Sequence, residues 1–174
     1  VLVIGFGIVG SLVARVLGSG PAVELEVAET RAVRRRLAES MGFQVSATPP
    51  KRPFDVAFDT SGTPAGLQAA IEGVGLEGRV IAVSWFGARP ARLDLGGSFH
   101  SRRKRVIASQ VSRIPGGMRP RWDVARRAEL VFRLLERPDF DLHVGPPVPF
   151  ALLPEAFEAL IGRTLEGLSP LIIY

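Results

Sequence analysis

Short apolar runs alternate with longer segments of helical periodicity along the whole chain. The first run, residues 1–4, is continuously apolar and rich in β-branched residues, which is typical of a strand buried on both faces. Residues 8–17 follow with their apolar positions on one helical face, and glycines at the end of the segment stop the helix. A strand followed directly by a helix is the first sign of a parallel sheet.

The alternation continues to the C-terminus. The pattern predicts further strands at residues 23–28, 43–46, 54–58, 79–83 and 105–110, with a terminal strand at residues 170–174. It predicts further helices at residues 31–41, 64–74 and 122–136, and one that begins at Pro154. Short connections between alternating strands and helices predict an α/β fold, a doubly wound parallel sheet of about six strands flanked by helices.

The helix predicted at residues 122–136 is amphipathic. We expect one of its faces to pack on a core, through Ala125, Ala128, Val131, Phe132 and Leu135. The segment PDFDLHVGPPVP that follows is the one shift in composition along the chain. It places a domain boundary between residues 138 and 139.

Composition excludes several classes of protein. The 174 residues are 47% hydrophobic and 22% charged, which is ordinary for a soluble domain with a full core. No apolar run reaches the ~18 residues that span a bilayer, and the opening residues lack the basic region of a signal peptide. Without cysteine the chain has no disulfide or thiolate metal site, which fits a cytoplasmic location. We expect no membrane association.

A net charge of +5 raises nucleic acid as a possible partner. The basic residues are spread along the chain, however, and no aromatic residues interleave with them as an RNA-binding platform requires. We therefore expect a phosphate-bearing cofactor and no nucleic acid.

The opening segment VLVIGFGIVG carries Gly-x-Gly-x-x-Gly between the first strand and the first helix. Gly5 permits a tight turn, Gly7 lets the backbone approach a pyrophosphate, and Gly10 lets the helix pack closely on the strand. The backbone N–H groups of Ile8 and Val9 then point at the anion from the positive end of the helix. The motif predicts a Rossmann-type dinucleotide site.

Glu29 is the acidic partner that such a site requires. It follows the second strand, 19 residues after Gly10. Its carboxylate can accept both ribose hydroxyls of an adenosine and would repel a 2′-phosphate, which favours NAD over NADP. Arg31 and Arg34 lie close behind Glu29 and soften that repulsion.

Small polar residues follow three later strands, in the segments DTSG (59–62), SWFG (84–87) and SQVS (109–112). Ligands of this fold lie outside the carboxyl ends of the strands, so these segments are expected to contact a ribose and a carboxamide. The alternative for each of them is an ordinary strand-to-helix turn.

Together these segments resemble the medium-chain alcohol dehydrogenase superfamily, specifically the nucleotide-binding domain and C-terminal tail of its zinc-type members. The resemblance covers essentially the whole chain. It rests on VLVIGFGIVG, VAETRAVRRRLAESMGF, FDVAFDTSGTPAGLQAAIEGVGLEGRVIAVSWFG and VPFALLPEAFEAL. The segment FHSRRKRVIASQVSRIP is similar to a narrower branch, the bacteriochlorophyllide hydroxyethyl dehydrogenases and their relatives.

The resemblance implies NAD-linked oxidation of a small-molecule alcohol or polyol, with hydride transfer to the nicotinamide. It also implies that a GroES-like domain with the catalytic zinc precedes the nucleotide domain and is missing from this chain. We therefore expect residues 1–138 to bind NAD and residues 139–174 to return toward the missing domain. The chain alone is expected to be inactive, to hold no metal and to form a homodimer.

The resemblance also carries cofactor contacts onto this chain. They are pyrophosphate contacts at Gly5, Gly7, Ile8, Val9 and Gly10, the adenosine ribose at Glu29, the adenine side at Thr60, and the nicotinamide half at Ser84, Trp85, Gln110 and Val111. Trp85 is bulkier than is usual in the family. His100 could shuttle a proton at neutral pH, but we favour the alternative that it is a helix-start residue that orders a loop. His143 has no partner nearby in sequence, and no catalytic residue is assigned.

Two other functions stay open. The first is a stand-alone regulatory module that senses NAD(H), which the absence of cysteine and of a substrate domain favours and the C-terminal tail disfavours. The second is a methyltransferase that uses S-adenosylmethionine, because its glycine loop is similar.

Overall fold

The computed structural model of the chain describes residues 1–20, 23–88, 90–162, 164 and 168–174, and these fall into two units. The first is Val1–Gln110 and the second is Val111–Tyr174. The sequence pattern predicted a division between residues 138 and 139, into an NAD-binding part and a tail. That division stays a prediction. In the structure, the helix predicted at residues 122–136 lies in the second unit, where it contacts the 3-10 turn at Pro138–His143.

A six-stranded sheet is the centre of the first unit. Its strands are β1 (Leu2–Ile4), β2 (Glu26–Ala28), β3 (Gln44–Ser46), β4 (Phe54–Asp59), β5 (Val74–Ala82) and β6 (Arg105–Ala108). They adjoin in the order β3-β2-β1-β4-β5-β6, and every pair is parallel. This is the order of the doubly wound dinucleotide-binding fold, so the predicted fold class is confirmed. The order reverses between β1 and β4, which opens a crevice at their carboxyl ends.

Helices connect the strands of this sheet. They are α1 (Ile8–Gly18), α2 (Ala32–Ser40), α3 (Pro64–Gly73) and the short α4 (Ser98–Ser101), which periodicity did not predict. Strand β5 begins five residues earlier than predicted because Val74 pairs with Phe54 directly after α3. A bulge with Glu77 at φ 56° then restores the register at Arg79.

Strand β1 lies in the middle of the sheet, and this position explains its continuous apolar run. Leu2, Val3 and Ile4 are all buried, because helices cover both faces of a parallel sheet. Phe6 continues the core beyond the strand, and its ring centre lies 5.6 Å from that of Phe43. The remaining core residues come from neighbouring strands and from α3: Ala28, Phe54, Ala57, Leu67, Ala70, Ile71, Val74 and Val80.

The second unit contains α5 (Val124–Leu135), β7 (Pro147–Pro149), α6 (Leu153–Ile161) and β8 (Leu171–Ile173). Short 3-10 turns lie at Gly116–Met118, Pro138–His143 and Phe150–Leu152. The predicted terminal strand is present as β8, which pairs in parallel with β7. Strand β7 escaped prediction because a proline occupies each of its ends, where strands are usually interrupted.

The predicted core face of α5 is exposed. The residues of this face are all exposed: Ala125, Ala128, Val131, Phe132 and Leu135. Phe132, for example, has 68% of its surface accessible to solvent. Within the described residues of the second unit, the two-stranded sheet and the short helices do not cover that face, and apolar side chains of α6 such as Phe157 and Ile161 are exposed as well. The periodicity predicted the helix correctly and its burial wrongly.

No helix in the described part of the chain is long and apolar enough to cross a membrane.

Lys104, directly before β6, is a buried cation whose side chain reaches the C-terminal end of α3. Its Nζ donates to the carbonyl oxygen of Ile71 at 2.7 Å and to Ser98 Oγ at 3.2 Å. Burial, and then the charge of Arg102, lower the pKa of the Lys104 ammonium. The side chain satisfies one of the carbonyl groups that a helix leaves open at its C-terminus.

We expect Lys104→Met to lower the free energy of unfolding by about 1–3 kcal/mol, because the Ile71 carbonyl is left buried without its donor. Urea denaturation followed by circular dichroism measures the change. Arg105→Met, at the exposed neighbouring position, is the control and should stay within about 0.5 kcal/mol of the wild type. Equal losses in both variants would contradict a capping role.

Candidate dinucleotide-binding site

The glycine-rich loop joins β1 to α1 at the carboxyl edge of the sheet. Gly5 has φ 93°, a conformation that L side chains rarely adopt, and its N–H donates to the Ala28 carbonyl at 2.8 Å. A Cβ on Gly5 would also lie 3.1 Å from Ser61 Cα. Position 5 therefore requires glycine both for its backbone conformation and for the space around it.

Gly10 sets the distance between α1 and the loop. A Cβ at this position would overlap the carbonyl oxygen of Gly5 and lie 2.5 Å from Thr60 Oγ1. Thr60 Oγ1 in turn lies 2.9 Å from the carbonyl oxygen of Ile4 and 3.0 Å from that of Gly5. The missing side chain lets the helix begin directly against the loop, and Thr60 ties that loop to the end of β4.

Gly7 stands at the N-terminal cap of α1, with φ −81° and ψ −170°, and no side chain caps the helix. Ile8 and Val9 form the first turn. Helices leave the first N–H groups without intrahelical partners, so these groups are available to an acceptor outside the helix. An anion at this end also gains from the helix dipole.

Glu29 lies beneath the loop, with only 5% of its surface exposed. Its Oε2 accepts from the Phe6 N–H at 2.8 Å, and its Oε1 accepts from the Arg31 N–H at the same distance. The carboxylate thus joins the loop after β1 to the start of α2. Sequence spacing indicated an acid here but not these bonds, and the contact with a ribose stays a prediction.

Two arginines of α2 reach the turn after β2 and the glycine loop. Arg35 Nη1 donates to the carbonyl oxygens of Glu29 at 2.9 Å and Thr30 at 2.6 Å. The guanidinium of Arg34 extends toward the glycine loop, where a Cβ on Gly7 would lie 3.4 Å from Arg34 Nη1. The edge of the loop is therefore cationic, while its nearest acid is buried.

Asp59, at the end of β4, begins the DTSG segment, but sequence reasoning did not single out its carboxylate. Its side chain is fully buried, and Oδ1 accepts from the Ser61 hydroxyl at 2.7 Å and the Ser61 N–H at 3.1 Å. Its Oδ2 has no hydrogen-bond partner among the described residues. The available signal was an acid directly before the small residues of DTSG, where an Asx turn is common.

Ser84 connects the ends of β4 and β5. Its Oγ accepts from the Gly62 N–H at 2.8 Å and lies 3.2 Å from the Asp59 carbonyl oxygen, which also accepts from the Ser84 N–H at 3.1 Å. The structure thus brings Thr60 and Ser84 to neighbouring strand ends of the same edge. Trp85 follows Ser84 with 89% of its surface exposed.

The remaining residues that the sequence analysis considered lie on other elements. Gln110 ends the first unit and Val111 begins the second, so their contact with a nicotinamide stays a prediction. His100 lies in α4 and is exposed. His143 is buried in the second unit, with Nδ1 3.1 Å from the Phe140 carbonyl oxygen. Within the described ranges, no three His, Asp or Glu side chains group as metal ligands.

Comparison with known proteins finds dehydrogenases. D-guloside 3-dehydrogenase of Escherichia coli (strain K12) is 24% identical over 181 residues, covering 95% of this chain and 52% of the relative. The structure of 2R,3R-butanediol dehydrogenase from Bacillus subtilis aligns with a TM-score of 0.75 and 21% identity, over 99% of this chain and 50% of that one. No protein-family model matches the chain.

Two further solved structures were complexed with nicotinamide cofactors. An alcohol dehydrogenase from Escherichia coli CFT073, with NADH, aligns with a TM-score of 0.75 and 14% identity over 99% of this chain and 51% of that one. The yhdH oxidoreductase from Salmonella enterica, with NADP, aligns with a TM-score of 0.71 and 21% identity, over 99% of this chain and 54% of that one.

The predicted resemblance to alcohol and polyol dehydrogenases is confirmed, and what the solved structures share with this chain is the fold. The chain spans about half the length of the curated relatives it matches. The narrower likeness to the bacteriochlorophyllide branch stays a prediction.

We expect Gly10→Ala to lower the free energy of unfolding by about 1–3 kcal/mol, because the new methyl group overlaps the Gly5 carbonyl and pushes α1 from the loop. Gly7→Ala is the matched control, since its Cβ would meet only the flexible end of Arg34. Urea denaturation of both variants compares them. A stable Gly10→Ala protein would show that α1 does not need this close approach.

Glu29→Ala leaves the Phe6 N–H without an acceptor in a buried position. We expect the unliganded variant to lose about 1–3 kcal/mol of unfolding free energy. Glu39→Ala, on the exposed side of α2, should cost much less. If Glu29→Ala instead unfolds like the wild type, the carboxylate does not brace the loop.

Proposed function

We propose that this chain is the cofactor-binding portion of an NAD-dependent, medium-chain, zinc-type alcohol or polyol dehydrogenase. The observation that carries the proposal is the cradle formed where α1 begins against Gly5: the missing Cβ of Gly10 allows this close approach, and no Cβ on Gly7 fills the space in front of the helix. Open backbone N–H groups at the start of a helix suit a pyrophosphate. The strand order and the similarity to dehydrogenases support the same function.

The residues at this edge fit the two halves of a dinucleotide. Gly5, Gly7, Ile8, Val9 and Gly10 would hold the pyrophosphate through the backbone. Glu29 would accept from the adenosine ribose, since a carboxylate has about four acceptor positions and two backbone N–H groups leave some of them open. Thr60 would lie on the adenine side.

The residues that would contact the nicotinamide half of the cofactor are Ser84, Trp85, Gln110 and Val111. When bound, NAD supplies the hydride acceptor of the reaction. The contribution of this chain is to bind the cofactor, to orient its nicotinamide toward a substrate, and to shield one side of it from water.

Zinc does not fit the residues that the structure describes, because they contain no group of metal ligands. In our proposal, as the resemblance to zinc-type dehydrogenases implies, zinc, substrate contacts and catalytic residues belong to a GroES-like domain outside this chain. Residues 139–174 would pack toward that domain. We further propose that the enzyme is a cytoplasmic homodimer and that its substrate is a small-molecule alcohol. This chain alone would be inactive.

Gly7→Val tests the cradle. Valine fits the backbone angles at position 7, and its first carbon would meet only the end of Arg34, so the fold should survive. Its side chain would cover the N–H groups of the first turn, and we expect NAD binding to fall below detection. Isothermal titration with NAD, beside circular dichroism, measures both effects.

Gly116→Val, at an open position of the second unit, is the control and should bind NAD like the wild type. Titration of the wild type with S-adenosylmethionine completes the experiment. Tighter binding of that compound than of either dinucleotide would replace the dehydrogenase proposal with a methyltransferase.

A further inference from the structure

An open cavity of about 380 Å³ lies in the first unit, at the amino-terminal edge of the six-stranded sheet. Its lining comes from the loop before β4, the end of α3, the start of β5 and Arg102, which precedes β6. The strands of the sheet are all parallel, so this edge is opposite to the carboxyl edge that carries the glycine loop. Strand β4 has six residues, and at ~3.3 Å per residue its two ends lie roughly 17 Å apart. A molecule in this cavity is therefore separate from one in the dinucleotide cradle.

Much of the lining is apolar. It includes Pro49, Pro50 and Pro53 of the loop before β4, Ala69 of α3 and Val74 of β5. The proline rings fix φ, so this loop loses little backbone freedom when a ligand binds to it. Small-molecule sites occupy about 300–1,000 Å³, and this cavity is near the lower end of that range. It has the size and the lining for a small organic molecule with an apolar part.

The lining also carries the cations Lys51, Arg52 and Arg102. Arg52 is already paired, because its Nε donates to Glu26 Oε1 at 2.9 Å and its Nη2 lies 3.4 Å from Glu24 Oε2. The side chains of Lys51 and Arg102 are exposed and make no hydrogen bond or ion pair within the part of the chain that the structure describes. Two positive charges are therefore open to an acceptor from solution.

The charge behind the cavity is positive as well. The Lys104 ammonium lies at the end of α3, with its Nζ 3.4 Å from the Glu72 carbonyl oxygen. Burial, and then the charge of Arg102, lower the pKa of Lys104, while the Glu72 carboxylate raises it. Glu72 is an acid of the lining, and its Oε1 accepts from the Gln68 amide at 2.9 Å. Lys51, Arg102 and Lys104 outnumber this acid, so the local field favours an anion.

We propose that this cavity binds a small organic phosphate. Arg102 holds two oxygens of the phosphate through its planar fork, and Lys51 contributes a second positive charge. The apolar part of the ligand lies against the prolines. The inference goes beyond the proposed function and does not depend on it, because no dinucleotide takes part in this site.

Phenyl phosphate is the probe, because it joins a dianionic phosphate to an apolar ring. We expect isothermal titration of the full chain in a phosphate-free buffer to give a dissociation constant of about 1 mM or lower, which two charge-assisted hydrogen bonds can support. Inorganic phosphate should bind at least about threefold more weakly, because it leaves the apolar lining uncovered. Benzyl alcohol, which has the ring without the phosphate, should show no binding at the same concentrations.

Variants of the lining locate the site. We expect Arg102→Gln and Lys51→Gln each to weaken phenyl phosphate at least about fivefold, since each removes a charge-assisted contact. Glu72→Gln should strengthen it by about two- to threefold, because a repelling carboxylate is removed. Arg36→Gln, at an exposed position of α2 outside the lining, is the charge-matched control and should stay within about twofold of the wild type. Circular dichroism checks that each variant is folded.

Gly7→Val distinguishes this cavity from the glycine loop, which also suits a phosphate. The variant should bind phenyl phosphate like the wild type, even where it no longer binds NAD. If Gly7→Val instead abolishes the binding of phenyl phosphate, the phosphate lies at the glycine loop, and the inference is overturned while the proposed function gains support.

The remaining outcomes also separate the two proposals. No binding of phenyl phosphate to the wild type, or losses in Arg102→Gln and Lys51→Gln no larger than in Arg36→Gln, overturn the inference and leave the proposed function standing. A wild type that binds phenyl phosphate in this cavity but binds neither dinucleotide supports the inference and contradicts the proposed function.

Discussion

The close approach of α1 to the loop after β1 is the constraint on which the candidate site depends. Two peptide groups, at Gly5 and Gly10, lie nearer to each other than any side chain would permit. The contact is possible because Gly5 adopts a left-handed conformation and Gly10 carries no side chain. It places the positive end of a helix at the point where the strand order of the sheet reverses.

Buried carboxylates stabilise the loops on either side of this contact. Glu29 accepts from backbone N–H groups on one side, and Asp59 accepts from the N–H and hydroxyl of Ser61 on the other. Backbone N–H groups donate to both acids, from Phe6 and Arg31 to Glu29 and from Ser61 to Asp59. Such bonds fix the loop backbone before any ligand arrives, and a preorganised site loses less conformational entropy when it binds.

Much of the first unit could be predicted because its signals are local. The apolar run of β1, the helical spacing of α1 and the glycines between them are readable within the first 18 residues. The missed features depend on contacts distant in sequence. Strand β5 begins early because Val74 finds Phe54, and Glu29 turns inward because the Phe6 N–H lies above it. Spacing could indicate which residue types belong to the site, but not which way their side chains point.

The exposed apolar face of α5 has a consequence for the dynamics of the second unit. Among the described residues few side chains cover this face, so tertiary packing contributes little to the stability of α5, and short isolated helices are only marginally stable in water. Its opening therefore costs little free energy compared with that of the buried sheet. The folded helix already exposes Val131, Phe132 and Leu135 on one face, which favours self-association at high protein concentration, and fraying of the helix would give proteases access to its backbone.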